Sequence, residues 1–477
     1  MKILANYIGG KLVAPTQENY IDVFNPSIGE VYAQLPNSTS EDVQLAVDAA
    51  QKAFPVWSTL SNEDRANYLR KMAAGIEARM DEFVQAESMD NGKPVGLAGM
   101  VDIPRAVSNL QFFASAIEQF ASESHHMPGV GVNYTTRKPI GIVGCISPWN
   151  LPLYLFTWKI APALAAGNCV IAKPSEITPY TAYLLAEVCV EIGLPEGVFN
   201  ILHGTGQSVG DALVGHEKIK AISFTGGTAT GKHIASVAAP MFKKLSLELG
   251  GKNPALVFAD CDFDKTVKGL VRSSFSNQGQ ICLCSSRILV ERSIYDQFKT
   301  AFVAQVEQLK VGLPTEKVNM GALVSEPHLN KVDAHVQQAI ADGATLLTGG
   351  KKLNITPKGY YYAPTVLEGS NNQAMINQQE VFGPVVTLQA FDEVEEGIAL
   401  ANDSVYGLSA TIWTTNLFTA HVVADRLETG IVWINDWLVR DLRTPFGGVK
   451  ASGVGREGGW EALRFFTEPK NVYIPLK

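Results

Sequence analysis

The feature that most constrains this fold is the alternation of short apolar strands with helices from about Lys138 onward. The β-branched runs IGIVGCISP and NCVIAKPS each end at a proline, and helical sequence at 158–164 separates them. A helix over 180–192, the run VFNILHG and a strand over 221–226 continue the pattern. Strands joined by short crossover helices predict a parallel sheet. Ligands of such sheets bind at the carboxyl ends of the strands, so functional residues are expected there.

A second alternating region follows Gly250 and predicts another α/β domain. Its predicted elements are the strand PALVFA, a helix over 263–278, the strand RILVE, a long helix from Ser293, and strands near Val366, near Val385, over 409–413 and over 430–434. Ahead of both regions lie four predicted helices, from Ser40, over 63–79, over 81–90 and over 102–120. The tail NVYIPLK has a strand pattern without an obvious local partner, and a second subunit can complete such a strand.

Length, charge and cysteine content exclude several classes of protein. A chain of 477 residues exceeds one ordinary core and predicts two or three domains. The net charge of -8 argues against a nucleic-acid surface. The N-terminus lacks the pattern of a signal peptide and no run of eighteen apolar residues occurs, so a cytoplasmic protein without a membrane span is expected. The six cysteines indicate neither a disulfide framework nor a zinc site, so no metal is expected.

Cys282 is the first candidate for chemistry, because the segment NQGQ precedes it. A glycine among polar amides, after an apolar helix, indicates a backbone break rather than core. Such a break can present a thiol and its own amide to a cleft, and a thiolate is a strong nucleophile toward a carbonyl carbon. The alternative is an inert buried thiol, which is the commoner fate of a cysteine. Cys284, two residues further on, could pair with Cys282 only through strained geometry.

Two further polar residues stand in unusual surroundings. Glu248 lies among leucines and precedes Gly-Gly, and a carboxylate in apolar surroundings has a raised pKa suited to a general base. The alternative is a carboxylate at an element edge that faces water. Asn150 lies between Pro148 and Pro152 at a strand end, where it is either a turn former or a neutral donor to an oxyanion.

A ligand with phosphates is suggested by two strand ends. Lys173 and Glu176 follow one strand and suit a ribose-phosphate group. The segment FTGGTATG at 224–231 forms a glycine-rich turn from strand to helix, which permits close approach of a cofactor. Neither segment matches the usual GxGxxG fingerprint, so each is weak evidence alone.

Together these segments resemble the aldehyde dehydrogenase superfamily. The resemblance runs from NPSIGEV near Asn25 to FGGVK at 446–450 and GVGRE at 453–457. The hallmarks LELGGKNP and NQGQIC stand at 247–254 and 277–282, in the expected order. It implies a Rossmann-like NAD-binding domain (1–118 and 140–250), a catalytic α/β domain (251–440) and a small β flap for oligomerisation (119–139 and 460–477). A homodimer or homotetramer is expected.

The resemblance also implies a role for each candidate. Cys282 would attack an aldehyde to give a thiohemiacetal, with Asn150 and the Cys282 amide holding the oxyanion. Hydride transfer to NAD would leave a thioester, and Glu248 would activate the water that hydrolyses it. Glu176 would disfavour a 2′-phosphate and hence NADP. The implied cofactor-binding residues are Ile146, Ser147, Pro148, Trp149, Lys173, Ser175, Glu176, Gly206, Gly210, Phe224, Thr225, Gly226, Gly227, Leu249, Glu380 and Phe382. At Gly227 the family commonly has serine, so one pyrophosphate contact is expected to be lost.

The substrate is less constrained than the reaction. The segments DIPRAVSNLQFFAS and WLVRDLRTPFGG are similar to the subgroup that oxidises 2-aminomuconic and 2-hydroxymuconic semialdehydes, with Arg105 and Arg440 at its substrate arginines. Arginine suits the far carboxylate of such a substrate, and Arg443 is a further candidate. The alternative is a surface salt bridge to Asp102 or Asp441. The resemblance places Tyr154, Leu155 and Trp158 along the substrate channel, although core residues would look the same.

Other functions stay open at this point. Within the class, succinic semialdehyde or a betaine-type aldehyde are alternatives, and the arginines disfavour the cationic one. From other classes, a thiol esterase would leave the Lys173–Glu176 site idle. A structural relative that only binds NAD would not need Cys282, Glu248 and Asn150 together.

Overall fold

A computed structural model describes residues 1–476, so Lys477, the last residue of the predicted segment 460–477, lies outside the described residues. Within them, the first alternating region forms an eight-stranded sheet. In spatial order its strands are Gly453–Val454, Lys244–Glu248, Ile219–Thr225, Ile142–Ile146, Cys169–Lys173, Phe199–Ile201, Asn6–Ile8 and Lys11–Val13. The five central strands pair in parallel, as predicted. Antiparallel strands complete both edges.

The second alternating region also forms a sheet, which has seven strands in the described chain. Their spatial order is Thr345–Thr348, Thr365–Glu368, Val385–Phe391, Arg287–Glu291, Pro254–Val257, Ser409–Trp413 and Ile431–Ile434. All neighbours pair in parallel except the first two. The predicted second α/β region is therefore confirmed. The chain then returns to the first sheet, because Gly453–Val454 pairs with Lys244–Glu248.

Helices cover the faces of both sheets and supply much of the core. The α-helices are Ser40–Trp57, Asn62–Ala78, Met80–Asn91, Val95–Leu97, Ile103–Glu118, Pro152–Ala165, Tyr180–Glu191, Asp211–Gly215, Thr228–Ala238, Phe263–Phe275, Tyr295–Val306, Glu326–Ala341, Met375–Gln378, Val394–Asn402, Leu417–Arg426 and Gly459–Phe465. The predicted start at Ser40 is correct, because Thr39 and Asp42 form a capping box there. No helix within residues 1–476 combines the length and the apolar character needed to cross a membrane.

One prediction about local structure was wrong, and the predicted strand at the tail was confirmed. The helix predicted over 263–278 ends at Phe275, because the backbone turns left-handed at Asn277 and Gln278. The tail does have a partner within the chain: Thr467–Pro475 pairs antiparallel with Gly131–Pro139. More than 300 residues separate the paired residues Lys470 and Thr136, so no local pattern could reveal the pairing.

Smaller sheets complete the described chain. The tail sheet also contains Ser124–Met127, and Thr467–Pro475 forms one of its open edges. The other small sheets pair Lys2–Ile3 and Tyr20–Asn25 with Glu30–Pro36, Lys352–Leu353 with Tyr361–Tyr362, and Tyr406–Gly407 with Val449–Lys450. The predicted division into domains stays a prediction.

Candidate active site

The backbone break before Cys282 exists, but it lies inside the core. Asn277, Gln278 and Gly279 have φ values of 51°, 58° and 71°. Non-glycine residues rarely adopt this region, and they keep it only where the surroundings hold them. Here the side-chain amide of Asn277 donates to the Asn150 carbonyl at 3.0 Å, and the side-chain amide of Gln278 donates to the Ala322 carbonyl at 2.9 Å. Buried amides therefore hold the strained loop that carries Cys282.

Cys282 is partly exposed and lines a cleft together with Asn150. Its carbonyl accepts a hydrogen bond from Asn253 Nδ2 at 2.7 Å. Its backbone N–H donates to no protein acceptor within residues 1–476. Burial and then the Glu380 charge raise the pKa of the thiol, while Arg440 opposes that rise. The resting thiol is therefore protonated, and its free amide is available to a ligand.

Hydrogen bonds to its main-chain carbonyl hold Asn150 in place. Its carbonyl accepts hydrogen bonds from Lys93 Nζ at 3.1 Å and from Asn91 Nδ2 at 3.3 Å, in addition to the Asn277 amide. Its own Nδ2 donates to the Gln280 carbonyl at 2.9 Å. A primary amide carries two N–H donors. The second N–H of Asn150 is therefore left for a group bound in the cleft.

Glu248 ends the strand Lys244–Glu248 and is only 3% exposed, so the alternative of a water-facing carboxylate is wrong. Neither carboxylate oxygen accepts a hydrogen bond from the residues that the structure describes. Burial, and next the nearby Glu457, raise its pKa well above the ordinary value. Glu457 itself pairs with Lys159 at 2.7 Å. The charge of Glu248 contributes to the raised pKa of Cys282, so the two groups interact.

The sixteen residues expected to bind cofactor all line one continuous cleft. Its two halves enclose about 800 and 720 Å³ and share Pro148, Trp149 and the turn 225–227. One half contains Ile146, Ser147, Lys173, Ser175, Glu176, Gly206, Gly210 and Phe224, and the other contains Leu249, Glu380 and Phe382 beside Asn150 and Cys282. This size suits a dinucleotide. The carboxyl ends of parallel strands bring these distant segments together.

The lining of the cleft fits the phosphates and riboses of NAD. A Cβ added at Gly206, Gly210 or Gly227 would meet no atom within 4 Å, so the main chain there faces open space. The N-cap of the helix Thr228–Ala238 is Gly227, which has no side chain to cap the helix. The first backbone amides of the helix are therefore free for an anion. Thr225 Oγ1 is buried without a partner within residues 1–476. Lys173 Nζ and Glu176 lie 2.9 Å apart at the far end.

The end of the cleft near Cys282 contains residues that the sequence analysis missed. His328 and Lys331, on the helix Glu326–Ala341, line it. His328 Nε2 lies 2.7 Å from the Phe382 carbonyl, and its ring packs 5.1 Å from that of Trp149. Phe382 has a left-handed φ of 60°, and the hydrogen bond between His328 and its carbonyl stabilises this conformation. No motif precedes either residue, so no local signal could have found them.

Glu380 lies at the same end. It accepts a hydrogen bond from the Gly251 N–H at 2.9 Å. Burial raises its pKa to about 7, while the Gly251 N–H opposes the rise. Glu380 is therefore fixed against the main chain that follows Glu248.

The two candidate substrate arginines rest on aromatic rings. The guanidinium of Arg105 lies 5.5 Å from the ring of Tyr154, and that of Arg440 lies 5.3 Å from the ring of Trp158. Tyr154 and Trp158 are one turn apart on the helix Pro152–Ala165. Tyr154 and Leu155 pack in one apolar cluster with Cys282, whereas Trp158 belongs to the main core. Both arginines therefore lie over the helix Pro152–Ala165, and the charge of Arg440 acts on Cys282.

The salt bridges expected as alternatives form with other residues. Asp102 pairs with Lys93 at 3.1 Å, and Asp441 pairs with the exposed Arg443 at 2.6 Å. The salt-bridge alternative is therefore correct for Arg443 and wrong for Arg105 and Arg440, which pair with no carboxylate within residues 1–476. Arg440 Nη2 is buried and donates no hydrogen bond in that range.

This chain belongs to the aldehyde dehydrogenase family. A family profile described as "Aldehyde dehydrogenase family" matches residues 12–472. The chain is therefore an oxidoreductase that acts on aldehydes, and the expected α/β fold, enzyme class and NAD cofactor are confirmed.

Relatives of known name cover nearly the whole chain. It is 51% identical to a 2-aminomuconic semialdehyde dehydrogenase of Danio rerio, over 99% of this chain and 98% of the relative. It is 45% identical to a 2-hydroxymuconic semialdehyde dehydrogenase of a Pseudomonas species, over 100% of both. An NAD+ complex of an aldehyde dehydrogenase from Bacillus cereus superposes with a TM-score of 0.97 at 37% identity, covering 100% of this chain and 97% of that one.

Proposed function

We propose that this enzyme oxidises a semialdehyde whose far end carries a carboxylate, of the 2-aminomuconic or 2-hydroxymuconic type. The observation that carries the proposal is the pair Arg105 and Arg440, which have no carboxylate partner in residues 1–476. A guanidinium binds a carboxylate through two parallel hydrogen bonds. The positive charge of Arg440 also acts on Cys282 and Glu248, so a bound carboxylate would lie near the reacting groups. The names of the relatives agree with this substrate class.

The residues of the chain divide the reaction into two stages. The Cys282 thiol first gives its proton to water in the cleft, and the resulting thiolate adds to the aldehyde carbon and forms a thiohemiacetal. The Cys282 N–H and the second N–H of Asn150 donate to its oxyanion, where charge develops in the transition state. NAD, when bound, supplies the acceptor for the hydride that leaves this carbon. Glu248 then takes a proton from water, the hydroxyl adds to the thioester, and the acid leaves as the thiol is restored.

Cofactor preference follows from the far end of the cleft. Lys173 Nζ pairs with Glu176 at 2.9 Å, and both line the half that would hold the adenosine ribose. The Glu176 carboxylate would accept ribose hydroxyls and repel a 2′-phosphate. We therefore expect kcat/KM to favour NAD over NADP, and Glu176→Gln to weaken that preference.

A substrate panel followed by NADH absorbance tests the function. It sets 2-hydroxymuconic semialdehyde and a stable 2-aminomuconic surrogate beside succinic semialdehyde, betaine aldehyde and an uncharged alkanal. The muconic compounds should have the highest kcat/KM and betaine aldehyde the lowest, because the arginines repel a cation. Preference for the alkanal or for betaine aldehyde would overturn the carboxylate assignment. Preference for succinic semialdehyde would keep the carboxylate and overturn the muconic class. Ester hydrolysis without NADH formation would favour a thiol esterase.

We also propose that the enzyme is a homodimer or homotetramer. Thr467–Pro475 leaves an open edge on its small sheet, and Ile431–Ile434 leaves one on the seven-stranded sheet. Open edges with exposed apolar residues, such as Tyr473, Ile474 and Ile434, favour pairing with another chain. Light scattering after size-exclusion chromatography should give two or four times the chain mass of 51.5 kDa. A monomer at micromolar concentration would overturn this proposal.

A cytoplasmic location is proposed from cysteine chemistry. The six cysteines are all free thiols in the described chain, and Cys282 must remain reduced to react. Reducing compartments keep thiols in that state. Fractionation of cells that express the chain should recover its activity with the cytoplasmic marker, and recovery elsewhere would contradict the proposal.

A further inference from the structure

A buried cluster of three charged residues lies behind Asn150. Lys93 Nζ lies 3.1 Å from Asp102 Oδ2 and 3.6 Å from Glu87 Oε1, and the three side chains are at most 1% exposed. Charges without water are costly to bury unless they are well paired. Because its burial is costly, stability alone does not explain why these three charged residues lie in the core.

The cluster holds main-chain atoms of the turn that contains Asn150. Lys93 Nζ donates to the Asn150 carbonyl at 3.1 Å. Glu87 Oε2 accepts the N–H of Leu153 at 3.3 Å, at the start of the helix Pro152–Ala165. Asn91 Nδ2 donates to the Trp149 carbonyl at 3.1 Å. The last turns of the helix Met80–Asn91 and the loop after it therefore bind several backbone atoms of this turn.

We infer that Lys93 is a positioning residue for Asn150, which fixes the Asn150 carbonyl so that the side-chain amide points at the oxyanion beside Cys282. The inference rests on the oxyanion role proposed above for Asn150. The carbonyl and the side-chain amide are attached to the same Cα, so a displacement of this main chain would also displace the side-chain amide. Donors to an oxyanion act only when they are held at hydrogen-bond distance from it, and a displacement of about 1 Å can cost about 100-fold in rate.

Within residues 1–476, Lys93 is the one charged donor among the three side chains that donate to the Asn150 carbonyl. The two other donors to this carbonyl are neutral amides, Asn91 and Asn277. At similar distances, a charged donor forms a stronger hydrogen bond than a neutral one. Asp102 and Glu87 fix the ammonium from the other side, so Lys93 is itself held in place.

The test is a double-mutant cycle in the full-length enzyme with Lys93→Met and Asn150→Ala. Lys93→Met should lower kcat about 10- to 100-fold, because it misplaces one oxyanion donor. The KM for the semialdehyde should change less than about threefold. In the Asn150→Ala background, Lys93→Met should lower kcat by less than about twofold, because residues that act through one another are not additive. Lys93→Arg, which keeps a charged donor, should recover part of kcat.

Arg65→Met is the matched control. Arg65 is another buried cation that donates to backbone carbonyls, those of Leu60 and Ala165, but it does not line the cleft. It should lower the melting temperature without lowering kcat of the folded enzyme. If Lys93→Met fails to fold, the double variant Lys93→Met/Asp102→Asn removes one charge of each sign and enters the same cycle.

The outcomes separate this inference from the proposed function. If Asn150→Ala alone keeps wild-type kcat, the oxyanion role of Asn150 fails and the inference fails with it. If Asn150→Ala lowers kcat but Lys93→Met lowers it equally in both backgrounds, only the inference on Lys93 is overturned. Wild-type kcat for Lys93→Met would overturn it as well.

Discussion

The cofactor cleft and the arginine pair differ in the chemical groups that they offer to a ligand. In the cleft, Gly206, Gly210 and Gly227 expose main chain to open space, and the uncapped helix Thr228–Ala238 adds free amides. The proposed substrate contact instead consists of two long side chains, Arg105 and Arg440, which lie on aromatic rings. Main-chain recognition tolerates changes of most side chains, whereas the arginine pair depends on two residues. We therefore expect substitutions to separate cofactor binding from substrate binding.

The largest loss of activity is expected from substitution of Cys282, because it lines the cofactor cleft and is the proposed nucleophile toward the substrate. Cys282→Ala should lower NADH formation by about 10⁴-fold or more, because the nucleophile is lost. NAD affinity, measured by calorimetry, should change little. Cys284→Ala is the matched control, since Cys284 is buried and lies outside the cofactor cleft. Residual activity of Cys282→Ala within tenfold of wild type would refute the assignment.

Glu248→Gln should affect the second stage alone. Hydrolysis should slow by about 10²- to 10³-fold, while the first turnover still gives a burst of NADH in stopped-flow absorbance. Because burial raises the pKa of Glu248, the reactive carboxylate form increases as pH rises toward that pKa. Wild-type hydrolysis should therefore increase with pH and the variant should lose this increase. Loss of the burst would show that Glu248 also acts before hydride transfer.

Arg440→Met should disturb the substrate region and leave the cofactor region intact. We expect kcat/KM for a carboxylated semialdehyde to fall about 10- to 100-fold, corresponding to ~1.5–3 kcal/mol for a lost charged hydrogen bond. For an uncharged alkanal kcat/KM should fall less, because it loses only the effect of the Arg440 charge on the pKa of Cys282 and of Glu248, and the KM for NAD should change little. Arg443→Met is the control, because that exposed residue already pairs with Asp441. An equal fall for both aldehydes would argue against a carboxylate contact.

The smallest effect is expected where a side chain is added to the main-chain cradle. Gly227 has a φ of -69° and no neighbour within 4 Å of an added Cβ, so Gly227→Ser needs no rearrangement. Its hydroxyl could contact a pyrophosphate, and the KM for NAD should fall about two- to threefold, or ~0.5 kcal/mol. Gly96→Ser, also in open space but away from the cleft, should leave this KM unchanged. A rise for Gly227→Ser would mean that the cofactor needs the space.

Much of the cofactor cleft could be predicted because its segments follow strands. Pro148, Lys173 and Thr225 each stand where an apolar strand ends, and parallel strands bring such ends to one edge. His328 comes from a helix in another part of the chain and reaches the cleft only through packing against Trp149. The break before Cys282 was visible in its glycine, but its burial was not, because that depends on Asn150 and Ala322.

By itself the sequence determined the α/β class with its parallel sheets, since strand–helix alternation is a local pattern, and its short segments indicated the candidate reacting residues. Only the tertiary structure decided which charges remain without partners. Asp102 and Asp441 are close in sequence to Arg105 and Arg440, yet they pair with Lys93 and Arg443 instead. The pairing of charges depends on which side chains packing brings together, and it leaves Arg105 and Arg440 without a carboxylate partner in the described chain.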